Sequence, residues 1–286
     1  MSALLEPFGY SYMVNAMGVA ALVGAVCGFL SAFLVLKGWS LIGDALSHAI
    51  VPGVAGAYML GLPFAAGAFF SGALAAAAML FLSGRTVLKQ DAIIGVVFTG
   101  FFSLGLFMVS LSPAAINLQT ITMGNILAVT PEDTLQLLMI GFGSLAILTL
   151  KWRDLMAVFF DENHARTIGL NPAWLKILFF GLLAVCTVAA LQTVGAFLVI
   201  ALIVTPGATA YLLTDRFSRM IILSVIIGAV TGFLGAWFSY YLDGATGGVI
   251  VCLQTLVFIG AFIFAPKHGV LAARKMMRQA QSGQGV

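Results

Sequence analysis

From Val14 to Leu36 no charged side chain interrupts the chain, and apolar runs of this kind recur along almost its whole length. A continuous apolar stretch of about 20 residues is what a helix needs to cross a bilayer, where each backbone group must find its partner inside the protein. The runs are continuous rather than alternating as barrel strands would be, so the spanning elements are expected to be helices. Only 8% of the 286 residues are charged, against roughly 25% in an average soluble domain. With a mean hydropathy of +1.11, the expected fold is all-α, a polytopic transmembrane helix bundle. A net charge of +3 gives no reason to invoke nucleic acid.

Nine spans are expected, over residues 14–36, 40–60, 64–83, 91–112, 133–150, 173–193, 195–213, 220–242 and 247–265. With the N-terminus outside and the C-terminus cytoplasmic, all 13 Lys and Arg residues fall on the inner side, from Lys37, Arg85 and Lys89 through Arg216 and Arg219 to the tail. The opposite orientation would violate the positive-inside rule at each of them. The domain plan is an outer segment 1–13, a transmembrane domain 14–265 and a basic cytoplasmic tail 266–286. The first basic residue is Lys37, so no cleavable signal peptide with a charged leading region is expected. The outer segment 113–132 holds no Lys or Arg and is rich in Asn, Gln and Thr, as an external mouth would be. Cys27, Cys186 and Cys252 all lie in apolar runs without a CxxC spacing and read as small core residues. Gly24 and Gly28, and again Gly228 and Gly232, put small residues on one helix face and predict close helix packing.

Of the 10 acidic residues, Asp44 alone is placed well inside a span, and among the histidines His48 alone is. Four residues is just over one helical turn, so both side chains project from one face. A carboxylate in hydrocarbon is costly and is normally there to meet a partner, an ion or a water-filled path. Oxygen and nitrogen donors together suit a divalent metal, but such an ion takes four to six donors. Two copies of the face meeting on a two-fold axis would supply two Asp and two His. The plainer reading is an Asp–His hydrogen bond that staples two helices. Pro52 lacks the N–H that would bond the carbonyl of His48, and Gly53 beside it allows close approach. Pro206 does the same for Leu202, predicting a second kinked helix.

The longest polar inner segment is 161–170, in the inner loop 154–172, with Asn171-Pro172 ending it before the next span. Within it, Asp161 and Glu162 suit a short helix's N-terminus and Gly169 its end. The segment is read either as an amphipathic helix at the interface or as a docking helix for a cytoplasmic partner. No Gly-Lys pair occurs in the chain, so no GxxxxGK[ST] phosphate-binding loop does either. If ATP powers transport, another polypeptide must hydrolyse it. The chain lacks HExxH, which argues against an intramembrane metalloprotease.

In the run Gly43-Asp44-Ala45-Leu46-Ser47-His48-Ala49 with Pro52-Gly53, in Gly124-Asn125-Ile126-Leu127, in the loop with Ala165 and Gly169, and in Val204-Thr205-Pro206, the chain resembles permease subunits of the ABC-3 family of metal-importing ABC transporters. The resemblance runs from about residue 10 to 266. It implies a non-enzymatic subunit that pairs with a second permease, identical or paralogous, with two cytoplasmic ATP-binding subunits and with an extracytoplasmic metal-binding protein, in a bacterial plasma (inner) membrane. It implies that Asp44 and His48 contact the transported metal, and that Asp161, Glu162, Ala165, Arg166 and Gly169 couple to the ATPase. No permanently bound cofactor is expected. Mn²⁺ or Fe²⁺ is favoured over Zn²⁺, because carboxylate and imidazole without thiolate suit harder cations. The alternative is a secondary carrier that exchanges protons at Asp44 and His48.

Overall fold

The structure, a computed structural model, describes residues 5–111, 129–265 and 269, apart from the side chains of residues 192, 193, 196 and 197. The segment 113–128, with Gly124-Asn125-Ile126-Leu127, lies outside the described residues, as does the tail 266–286 except Gly269.

Every regular element among the described residues is helical. A 3-10 turn at Glu6–Gly9 precedes α1 (Ser11–Lys37), α2 (Ile42–Ala49), α3 (Val51–Leu60), α4 (Phe64–Ser83) and α5 (Gln90–Leu111). After these come α6 (Pro131–Phe160), α7 (Glu162–Thr167), α8 (Pro172–Val194), α9 (Ala196–Leu213), α10 (Phe217–Leu242) and α11 (Thr246–Phe264). Seven of them, α1, α4, α5, α6, α8, α10 and α11, contain stretches long and apolar enough to cross a membrane. The chain is therefore a multi-pass membrane protein. The expected second span divides into two short helices, α2 and α3, and the expected seventh is α9, whose apolar stretch Leu198–Leu213 falls just short of that length.

The fifth span extends well past its expected end at residue 150, to Phe160. Its polar turn is stabilised locally, by Lys151 paired with Asp154 at 2.9 Å and by the Arg153 guanidinium 5.4 Å from the Trp152 ring centre. Leu155, Val158 and Phe159 then return the helix to the core. Asp154, at the start of the expected inner loop, thus lies inside α6.

The scaffold is built on α1 against α10. A Cβ at Gly24 would strike the carbonyl of Gly228, one at Gly228 the carbonyl of Gly24, one at Gly28 that of Ser224, and one at Gly232 that of Ala20. The two glycine pairs seen in the sequence therefore pack on each other, backbone against backbone, as small residues permit in a bilayer. Ser224 Oγ adds a hydrogen bond to the Gly28 carbonyl at 2.5 Å.

The connections sort to two ends of the bundle. Lys37, Gly84, Gln90, Arg166 and Pro172 border one cleft, and Leu36, Phe160, Thr214 and Phe217 border another. The ends of α1, α4, α6 and α9 and the starts of α5, α8 and α10 thus meet at one end, together with α7. At the other, Tyr10 lies 5.9 Å from Tyr240, ring centre to ring centre, and Ser239 bonds Thr246 at 3.0 Å. Gly247 there packs on Leu198 near the start of α9.

Candidate functional site

In α2 only Asp44 and His48 escape full burial; Ile42, Gly43, Ala45, Leu46, Ser47 and Ala49 are all covered. The same-face expectation from their spacing holds, and that face is the open one. The His48 and Asp44 side chains are 26% and 41% exposed. His48 Nδ1 lies 3.1 Å from Asp44 Oδ1 and 3.0 Å from the Asp44 carbonyl oxygen. Both neighbours are acceptors, so the hydrogen assigned to Nδ1 is the one that satisfies them, and in the neutral ring the lone pair then sits on Nε2, a position able to serve as a metal donor. The Asp–His bond is made within one helical turn, so it does not staple two helices.

Two rings of α5 hold the imidazole. Phe98 and Phe102 lie 5.5 Å and 5.4 Å from the His48 ring centre at 89° and 85°. They stack on each other at 5.8 Å and 8°. Edge-to-face contact of this kind fixes a ring's plane and adds roughly 0.5–1.5 kcal/mol per pair beyond burial. Nothing periodic in the sequence marks these two phenylalanines, which are one helical turn apart in an apolar run.

No group of three or more His, Cys, Asp or Glu side chains able to hold a metal occurs among the described residues. Among the described residues Asp44 and His48 thus bring together one carboxylate and one imidazole, fewer donors than a divalent metal takes.

Just beyond His48 the helix breaks at Ile50. Pro52 sits in the first turn of α3, where its missing N–H costs least. The His48 carbonyl, expected to be free, is met by the N–H of Ile50. The carbonyl taken by a neighbour is that of Ala49, which accepts from Ser71 Oγ of α4 at 2.6 Å. Gly53 does admit another backbone: its missing Cβ would strike the carbonyl of Gly67, and that of Gly67 the carbonyl of Gly53. Gly105 of α5 presses on the break from another side, where a Cβ would lie 2.8 Å from Pro52 N.

Pro206 lies inside α9. Ser31 of α1 satisfies the backbone around it, donating to the Val204 carbonyl at 3.2 Å and accepting the Gly207 N–H at 2.9 Å. α9 packs against α2, the helix of the Asp–His pair, since a Cβ at Gly43 would come within 2.8 Å of the Ile203 side chain.

The polar segment 161–170 forms α7. Asp161 caps it, its Oδ1 accepting from the N–H groups of Asn163 at 2.9 Å and His164 at 3.1 Å. Gly169, at φ +83°, ends it in the left-handed region that glycine enters without strain. Ala165 is wholly buried, which pins the helix to the bundle and leaves Arg166 exposed. Glu162 pairs with Lys176 of α8, a tie that the sequence gave no sign of. Cys27 and Cys186 are buried and Cys252 is exposed; none forms a disulfide.

A sequence model of the ABC 3 transport family matches residues 9–265. The chelated iron transport system membrane protein YfeC of Yersinia pestis is 64% identical, over 97% of this chain and 95% of that protein. The manganese transport system membrane protein MntB of Synechocystis is 46% identical, over 94% of this chain and 88% of that one. Among solved structures, PsaBC of Streptococcus pneumoniae in complex with Fab superimposes with a TM-score of 0.82 at 34% identity, covering 96% of this chain and 99% of that one.

Proposed function

Because the chain belongs to the ABC 3 transport family, we propose that it is the membrane-spanning permease subunit of an ATP-driven importer of divalent metal, with Mn²⁺ or Fe²⁺ preferred to Zn²⁺. The observation that carries this reading is the α2 face, where Asp44 and His48 are the only uncovered residues of an otherwise buried helix. The relatives' names, one for iron and one for manganese transport, agree with a donor set that contains no thiolate.

The proposed chain crosses the bilayer nine times. Two crossings supplement the seven long helices. α9 runs from Leu198, beside Gly247, to Thr214, which borders the same cleft as Leu36. α2 and α3 together make the other, starting next to Lys37 and Trp39. The N-terminus is outside and the C-terminus cytoplasmic, an orientation supported by Lys37, Arg166 and Lys176 around one cleft. The cluster of Tyr10, Tyr12, Tyr240 and Tyr241 at the opposite end suits the other interface. The domain plan stays as outer segment, permease domain and basic tail, and the location is a bacterial inner membrane.

The transported metal binds His48 Nε2 and the Asp44 carboxylate, and a second permease subunit, identical or paralogous, completes its shell across the open face. An extracytoplasmic binding protein delivers the ion. Separate ATP-binding subunits dock on α7, the segment of Asp161, Glu162, Ala165, Arg166 and Gly169, with buried Ala165 seating the helix against the bundle rather than touching the partner, and their ATP cycle switches the side to which the site opens. The chain itself catalyses no reaction and holds no permanent cofactor. The break before Pro52 gives the pathway backbone that is not locked in continuous helix, and Pro206 removes one N–H from α9 without ending it.

Uptake of radioactive Mn²⁺, with Fe²⁺ and Zn²⁺ as competitors, tests this in cells expressing the chain with its partners. Accumulation should vanish when the ATPase partner is inactivated. Accumulation indifferent to that partner would replace the proposal with proton-coupled secondary transport at Asp44 and His48.

A further inference from the structure

Beside α7 lies a cleft of about 720 Å³ whose walls come from the ends of α1, α4 and α6 and the starts of α5 and α8. It differs from the metal site in both charge and position. Lys37, Arg166 and Lys176 line it, and Glu162 is the one carboxylate in its lining. Glu162 is already paired with Lys176, so Lys37 and Arg166 are left with no ion-pair partner among the described residues. Arg85 stands at the rim with its guanidinium 4.7 Å from the ring centre of Phe81, itself a lining residue.

The same cleft is apolar on its other side. Phe81 is 59% and Ile177 56% exposed, and both belong to helices long and apolar enough to span the membrane. A ligand that satisfies both halves carries an anionic group at the level of the helix ends and hydrocarbon alongside the helices. Basic pockets between spanning helices at the cytoplasmic face hold acidic lipid headgroups for this reason, and each cation near the surface strengthens the attraction. Unpaired cations would repel a metal ion, so the cleft is poorly suited to be the metal's exit.

We propose that this cleft is a binding site for an anionic phospholipid, with Lys37 and Arg166 on the headgroup phosphate and Phe81 and Ile177 against an acyl chain. The lipid bridges α1 and α7 and thereby ties the segment that faces the cytoplasm to the scaffold.

Native mass spectrometry of the purified full chain, offered phosphatidylglycerol and phosphatidylcholine in equal amounts, tests the assignment without reference to transport. Phosphatidylglycerol should be retained in preference, and K37Q/R166Q should lower its retention about fivefold for each charge removed. The charge-keeping pair K37R/R166K should restore it. R216Q/R219Q, which removes as much charge from residues outside the cleft lining, should leave it unchanged. Undiminished retention in K37Q/R166Q would overturn the proposal, as would an equal loss in R216Q/R219Q. Displacement of the lipid by millimolar inorganic phosphate would also overturn it, because a free anion would then suffice.

Discussion

At Pro52 the backbone separates into two helices, whereas at Pro206 α9 continues as one from Ala196 to Leu213. Both prolines remove an N–H, and both regions lie against small residues of neighbouring helices. They differ in what the neighbours supply. At Pro206 a single hydroxyl, that of Ser31, both accepts from Gly207 and donates to Val204, so the backbone on either side of the proline is tied to the scaffold. At Pro52 the neighbours are Ser71, which takes one carbonyl, and glycines that bring bare backbone alongside. The helix ends there, and the turn before the break carries the chain's Asp–His pair on an open face. Proline alone does not mark a functional position; a proline at which the helix ends, next to ionisable groups on an open face, is the more informative sign.

The contrast can be broken by experiment. The largest effect should come from Asp44→Ala, which removes a donor and the partner of His48 Nδ1. Uptake should fall about 100-fold while membrane insertion and ATPase binding persist, and normal uptake would refute the site. Gly53→Val should cost about 3 kcal/mol or more through overlap with Gly67, read as a lower unfolding temperature in detergent. Gly100→Ala on α5, where nothing lies within 4 Å of the missing Cβ, should change little. Phe98→Leu should reduce uptake about threefold to tenfold, by loosening the imidazole, with the unfolding temperature nearly kept. Gly169→Val should strain the end of α7 by about 1 kcal/mol and raise the ATP hydrolysed per ion imported. The smallest effect on uptake among the changes at contacts should be that of Ser31→Ala at Pro206, about 1 kcal/mol of stability with uptake retained. An uptake loss there as deep as that of Asp44→Ala would end the distinction between the two regions.

Much of this molecule could be read from its sequence because the bilayer imposes simple rules. Apolar runs gave the helices, paired glycines marked two helices that pack closely without saying that they pack on each other, and Asp161 and Gly169 marked the ends of α7 almost to the residue. The i, i+4 spacing put Asp44 and His48 on one face. What escaped depends on contacts distant in sequence. Phe98 and Phe102 look like any apolar pair until folding sets them against His48. The captured carbonyl belongs to Ala49, not His48, because Ser71 arrives from α4 at that level. The fifth span, α6, outran its hydropathy because Lys151 and Asp154 neutralise each other on its surface, a local pairing that a window of apolar residues does not register.

The glycine seam has a consequence at the level of heredity. Any missense change at Gly24, Gly28, Gly228 or Gly232 introduces a Cβ, and each of those four positions already has a carbonyl where that carbon would go. A Phe codon is one base from Leu, so the rings around His48 admit graded variants that the seam does not. In a saturation screen, variants of the seam should be lost as unassembled protein, whereas those around the imidazole should survive with altered transport. Selection can tune the site without disturbing the frame that carries it.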